Sequence, residues 1–145
     1  MRVDFYQLGG RPVEEVVPQL AAKVLESGAK LLLVAGEETL RARLDEALWT
    51  FEPASFLPHG AAGEDSEACQ PILLAENADT AGTDRLTMLA DGLWRDAALA
   101  SERVFYLFGQ DRLDDARAAW RGLADRDDAA RQYWKQDGGR WREGP

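Results

Sequence analysis

Residues 30–35 read KLLLVA, and this short run limits the fold more than any other feature. It shows no alternation of apolar and polar residues, which is the mark of a strand buried on both faces. A sheet containing it needs cover above and below. Four further apolar runs read as strands: residues 3–8 (VDFYQL), 71–75 (PILLA), 85–90 (RLTMLA) and 102–108 (ERVFYLF).

Helical patterns fall between the strands. Val13, Val16, Val17, Leu20 and Val24 recur at helical spacing, so a helix runs from Pro12 to about Ser27, with Gly28 as its stop. Pro18 inside that pattern marks a kink or the true start. Residues 37–50 form a second helix on Leu40, Leu44, Ala47, Leu48 and Phe51, with Glu37 and Glu38 suited to its positive end. Residues 110–124 form a third, with Leu113, Ala116, Trp120 and Leu123 on one face. Residues 52–70 read as a loop, 77–84 as a loop or a single short turn, 127–136 as a short last helix, and 137–145 as a frayed or surface-folded tail. Strands alternating with helices predict an α/β fold. It is a three-layer α/β/α sandwich around a mostly parallel, Rossmann-like sheet, one domain over residues 1–145.

Composition removes several functions. With 17 Lys+Arg against 26 Asp+Glu, the chain carries a formal charge of −9, a poor basis for binding duplex DNA. Residues 71–145 are the less acidic half. The single Cys69 leaves no internal disulfide and no Cys-rich zinc site, and the single His59 leaves no two-His metal motif. No run of 18 apolar residues predicts a membrane span, and the N-terminus does not read as a signal peptide. The expected setting is cytoplasmic.

The strand followed by Gly9-Gly10 invites a nucleotide-binding reading. The turn is G-G-R-P, however: the third glycine of the dinucleotide fingerprint is missing, and Pro12 removes an N–H from the helix start. No Walker-type phosphate loop occurs, so a plain turn competes with a nucleotide site. His59 in its P-H-G loop reads as a structural or surface residue ahead of a general base. Cys69 reads as a small packed residue ahead of a nucleophile. No pair of carboxylates stands out as catalytic. Trp49 lies about 100° off the core stripe of the second helix, which makes it a binding anchor or a cap on the core rim. Arg117 and Arg121 are an i, i+4 pair flanking Trp120. They suit a ligand with a carboxylate and an apolar side chain, while core packing and local ion pairs are the plainer explanation.

Residues 43–63, RLDEALWTFEPASFLPHGAAG, resemble the chi subunit of bacterial DNA polymerase III holoenzyme, with its R-L-D-x-x-L-W helix end followed by S-F-x-P-H and a glycine. The opening Phe5-Tyr6-Gln7-Leu8 and the segment Ala116, Arg117, Trp120, Arg121 match two further motifs of that family, and the order of elements fits over nearly the whole chain. The resemblance implies a non-catalytic adapter with no cofactor and no metal. Such an adapter links the clamp-loader assembly to single-stranded-DNA-binding protein (SSB) by holding the acidic, Phe-terminated tail of SSB.

Its other implied partner is the psi subunit. Direct DNA binding is not expected, and the protein alone is expected to be a monomer. Carried over by motif, Trp49 and Phe56 would line the slot for the terminal Phe, between the second helix and the basic third helix. Arg117 would bind carboxylate, Trp120 would supply an aromatic wall, and Arg121 and Arg112 would add charge. Arg112 enters with a small shift, because Leu113 stands where the family has a lysine. Two rivals remain: a psi-docking subunit with no working tail pocket, and a nucleotide-binding enzyme on the same fold.

Overall fold

The computed structural model of the chain describes residues 1–50, 59–61, 71–126, 128–137 and 140–143. The chain runs β1 (Arg2–Gln7), α1 (Val13–Glu26), β2 (Leu31–Val34), α2 (Glu38–Thr50), β3 (His59–Ala61), β4 (Ile72–Ala75) and β5 (Leu86–Leu89). A 3₁₀ turn at Asp96–Ala100 leads to β6 (Arg103–Phe108). A second 3₁₀ turn at Gln110–Arg112 opens α3 (Leu113–Leu123), and β7 (Ala130–Asp137) and β8 (Arg140–Glu143) complete the order.

The eight strands of the described residues join one sheet in the order β3-β4-β2-β5-β6-β1-β7-β8. Every pairing is parallel except that of β7 with β8. The KLLLVA run behaves as expected: all four residues of β2 are buried. They alternate between two cores. Leu31 and Leu33 join Tyr6, Phe105 and Leu107 under α1 and α2. Leu32 and Val34 join Val3, Phe5, Val104, Tyr106 and Phe108 under α3.

Chain direction explains which helix covers which face. Crossovers between parallel strands are right-handed, so the side on which a connection passes depends on the direction it moves along the sheet. From β1 to β2 and from β2 to β3 the chain moves one way, and α1 and α2 share a face. From β4 to β5, β5 to β6 and β6 to β7 it moves the other way. Accordingly Ala78, Ala98 and the α3 residues Ala116, Ala119 and Leu123 all pack in the opposite core.

Four expectations need correction. In place of the short last helix expected over 127–136, the described residues from Ala130 form β7, paired in parallel with β1. Their alternation sends Tyr133 to the α3 core and Trp134 to the α1/α2 core, a spacing of two that a helix does not give. Of the two alternatives for the tail 137–145, fraying fails for Arg140–Glu143, which folds back antiparallel along β7. Within the supposed loop 52–70, His59–Ala61 forms the edge strand β3 against β4. Pro18 is not the true start of the helix, since α1 begins at Val13 and runs through it, with Pro18 buried. Gly28 ends α1 with φ +86°, a conformation glycine adopts without a Cβ penalty.

Candidate functional site

The third helix and the strand that follows it build a cleft. On α3, Ala116, Ala119 and Leu123 bury against the sheet, while Arg117 and Arg121 project one turn apart into solvent. Period-two geometry on β7 places Tyr133 and Lys135 on the face that α3 covers. Between the two elements lies a cleft of about 480 Å³. Leu113, Trp120 and Tyr133 supply its apolar wall, Arg117, Arg121 and Lys135 its charge, and Gln7 and Gln110 its end.

Aromatic packing fixes the wall. Phe5, fully buried on β1, meets the Trp120 ring edge-on at 5.1 Å between centroids and stacks on Tyr133 at 6.3 Å. Trp120 and Tyr133 themselves meet edge-on at 5.8 Å. The Tyr133 hydroxyl donates a hydrogen bond to Gln7 Oε1. Burial pushes the Tyr133 hydroxyl above its ordinary value of 10.0, outweighing the positive charge of Arg117, which acts to lower it. At neutral pH the phenol therefore stays protonated and keeps donating.

The cations of the cleft are lightly engaged. Arg117 lies 4.0 Å from Asp114, with both side chains exposed, and pairs of this kind are worth roughly 0–1 kcal/mol. Arg121 and Lys135 have no carboxylate within 4.0 Å among the described residues. A compact anion entering this cleft would meet charged donors without first displacing a strong internal pair.

Beside it lies a second cleft of about 460 Å³ at the carboxyl ends of β1 and β6, where the connections leave toward opposite faces of the sheet. This is the position at which doubly wound sheets bind ligands. Arg11 and Lys135 are its charged residues, and Gly9, Gly10 and Pro12 form its floor. Gly9 is held against β7: its N–H donates to Gln136 Oε1 at 3.1 Å, and a β-carbon there would stand 2.9 Å from the Gln136 carbonyl oxygen. The glycine serves close backbone approach. Pro12 caps α1, and Glu14 and Glu15 occupy its first turn, an arrangement that disfavours phosphate. A third cleft, between α3 and residues 93–99, carries the carboxylates Asp96 and Asp115 with Arg126.

Of the residues marked out from sequence, Arg117, Trp120 and Arg121 come together in one cleft. Arg112 does not join them. Its guanidinium lies 3.5 Å from Asp115, and its Cγ would stand 2.6 Å from a β-carbon on Gly92, on the side of the 93–99 loop. The wall position belongs to Leu113 instead. The described residues of α2 and α3 pack in cores on opposite faces of the sheet. The Trp49 side chain, all of Phe56 and Cys69 lie outside the described residues. Lys135, Tyr133, Gln7 and Gln110 are cleft residues that sequence reading missed. The adjacent aromatics Tyr133 and Trp134, followed by Asp-Gly-Gly, are the strand-and-turn signal that points to the first two. No group of three His, Cys, Asp or Glu able to hold a metal occurs among the described residues, and no helix is long and apolar enough to cross a membrane.

A family model described as DNA polymerase III chi subunit, HolC, matches residues 1–136. The DNA polymerase III subunit chi of Escherichia coli (strain K12) is 40% identical over 63 residues, 43% of each chain. The subunit of the same name from Haemophilus influenzae is 38% identical over 60 residues, covering 41% of this chain and 42% of the relative. That from Pseudomonas aeruginosa is 36% identical over 78 residues, covering 52% and 55%. The chain thus spans between 42% and 55% of the length of these relatives.

Proposed function

The chain belongs to the DNA polymerase III chi subunit family, and from that premise we propose that it is a non-catalytic accessory subunit of the replisome. In this reading it links the clamp-loader complex, through the psi subunit, to SSB by binding the acidic C-terminal tail of SSB. The tail site is the cleft between α3 and β7.

The observation that carries this reading is a local reversal of charge. In a chain of net charge −9, the charged residues lining this cleft among the described residues are Arg117, Arg121 and Lys135, set around Leu113, Trp120 and Tyr133. A peptide ending in phenylalanine presents the complementary pair. Its terminal carboxylate suits the fork of a guanidinium, and its ring suits an aromatic wall. Arg117 takes the carboxylate, Trp120 and Leu113 take the ring, and Arg121 and Lys135 face the acidic side chains. The overall acidity of the protein opposes an acidic peptide, so binding is salt-sensitive and depends on the cleft's local field.

Titration of a fluorescent SSB-tail peptide into the purified protein at low and high salt tests this. The reading predicts binding that weakens with salt and is lost when the terminal Phe is deleted. No binding at low salt would favour a second reading, a psi-docking subunit without a working tail pocket. The substitution of Leu113 for the family's lysine is the feature that supports that alternative.

A further inference from the structure

We propose that the two neighbouring clefts form one continuous groove for an extended acidic peptide. The second cleft, over the β1–α1 turn, takes the residues upstream of the anchored terminus. This extension rests on the tail-binding reading above and adds Arg11 to it as an affinity-determining residue.

Three observations support it. The clefts share Gln7, Gln110 and Lys135 in their walls, so a chain leaving one enters the other beside the same lysine. Among the described residues, the charged side chains lining either cleft are Arg117, Arg121, Lys135 and Arg11, all cations, in a protein with 26 acidic and 17 basic residues. The third cleft, by contrast, is lined by Asp96 and Asp115 with one arginine. The floor of the second cleft is also built for backbone approach rather than for phosphate. Gly9 and Gly10 present no side chains, and Pro12 offers no N–H at the start of α1 to hold a compact anion. A peptide carrying spaced carboxylates on an extended backbone meets these conditions.

Arg11 is at present shared with Glu15, its Nε lying 3.4 Å from the Glu15 carboxylate. That contact gives the proposal two variants of opposite sign. The experiment compares a long acidic tail peptide with a short form keeping only the terminal Phe and its nearest neighbours, by fluorescence anisotropy at low salt. The wild-type protein is expected to bind the long form more tightly, by roughly 5- to 10-fold for two exposed charge contacts. Arg11→Gln should reduce that advantage by ~3-fold and leave the short form unchanged, and Glu15→Gln should widen it.

Equal affinity for the two lengths in the wild type would overturn the extension while leaving the tail site standing. So would an equal loss on both peptides in Arg11→Gln, or no widening in Glu15→Gln. If neither peptide binds the wild-type protein, the tail reading fails and the extension falls with it.

Discussion

The guanidinium of Arg131 lies 4.3 Å from the centre of the Trp120 ring, and its Nη1 donates a 2.7 Å hydrogen bond to the Trp120 carbonyl. One side chain from β7 therefore grips both the ring and the backbone of α3, and sets the spacing of the cleft that lies between them. Arg131 does not line that cleft, so its influence is through position. Arg131→Ala should lower stability by about 1–3 kcal/mol, combining a charged hydrogen bond with a cation–π contact. It should also weaken tail binding, with Arg131→Lys intermediate because a lysine keeps the charge but not the planar fork. Urea unfolding and peptide titration on the same variants measure both; a stability change near zero would show that β7 holds α3 by other contacts.

Asp91 ties the turn after β5 to the turn after β2. Its carboxylate accepts from the Gly36 N–H at 2.8 Å, from the Leu93 N–H at 3.2 Å and from Arg95 at 2.7 and 2.8 Å. Burial pushes the Asp91 carboxyl up, but these hydrogen bonds and the Arg95 charge together outweigh it and hold it below its ordinary 3.8. A depressed folded-state value means that the contribution is fully present above 3.8 and is lost as pH falls through the lower folded value. Asp91→Asn should thus cost about 1.5–3 kcal/mol at neutral pH, and the gap from wild type should close under acid conditions. Urea midpoints across an acid series check the sign. A gap that grows on acidification would contradict it.

Gly9→Ala tests the contact between the β1–α1 turn and β7. The new methyl would stand 2.9 Å from the Gln136 carbonyl oxygen, and both sides of that contact are backbone or rigidly held. A loss of about 1–3 kcal/mol is expected, as for other overpacked sites. Thermal unfolding within experimental error of wild type would mean that the turn can move away from β7 freely.

The sequence was most informative where one local signal determined the outcome. The KLLLVA run could only be a doubly buried strand, and the stripe of α1 residues from Val16 to Val24 could only face a core. It misled where long-range pairing overrode local preference. Residues 128–136 are rich in Ala, Arg, Gln and Lys, good helix formers, yet β1 offers them an open edge, and Tyr133 and Trp134 each find a separate core by going straight. Reading that segment as a helix hid Lys135 and Tyr133 from the candidate site. Strand order was equally out of reach. Without it the crossover rule cannot assign α2 and α3 to opposite faces. Arg112 was misplaced for a more local reason: the 3₁₀ turn at Gln110–Arg112 precedes α3, so position 112 does not follow the helical face that carries 113, 117 and 120.

The most direct test of the account compares two arginines that stand five positions apart on the chain. Titration of the SSB-tail peptide at low salt into Arg117→Ala and Arg112→Ala separates the cleft from the opposite flank of α3. The account predicts that Arg117→Ala loses roughly 1.5–3 kcal/mol of binding, about 10- to 100-fold in affinity, with the fold intact. Arg112→Ala, whose side chain turns to Asp115, should bind as wild type does. Unchanged affinity in Arg117→Ala, or an equal loss in both variants, would contradict the placement of the tail between α3 and β7.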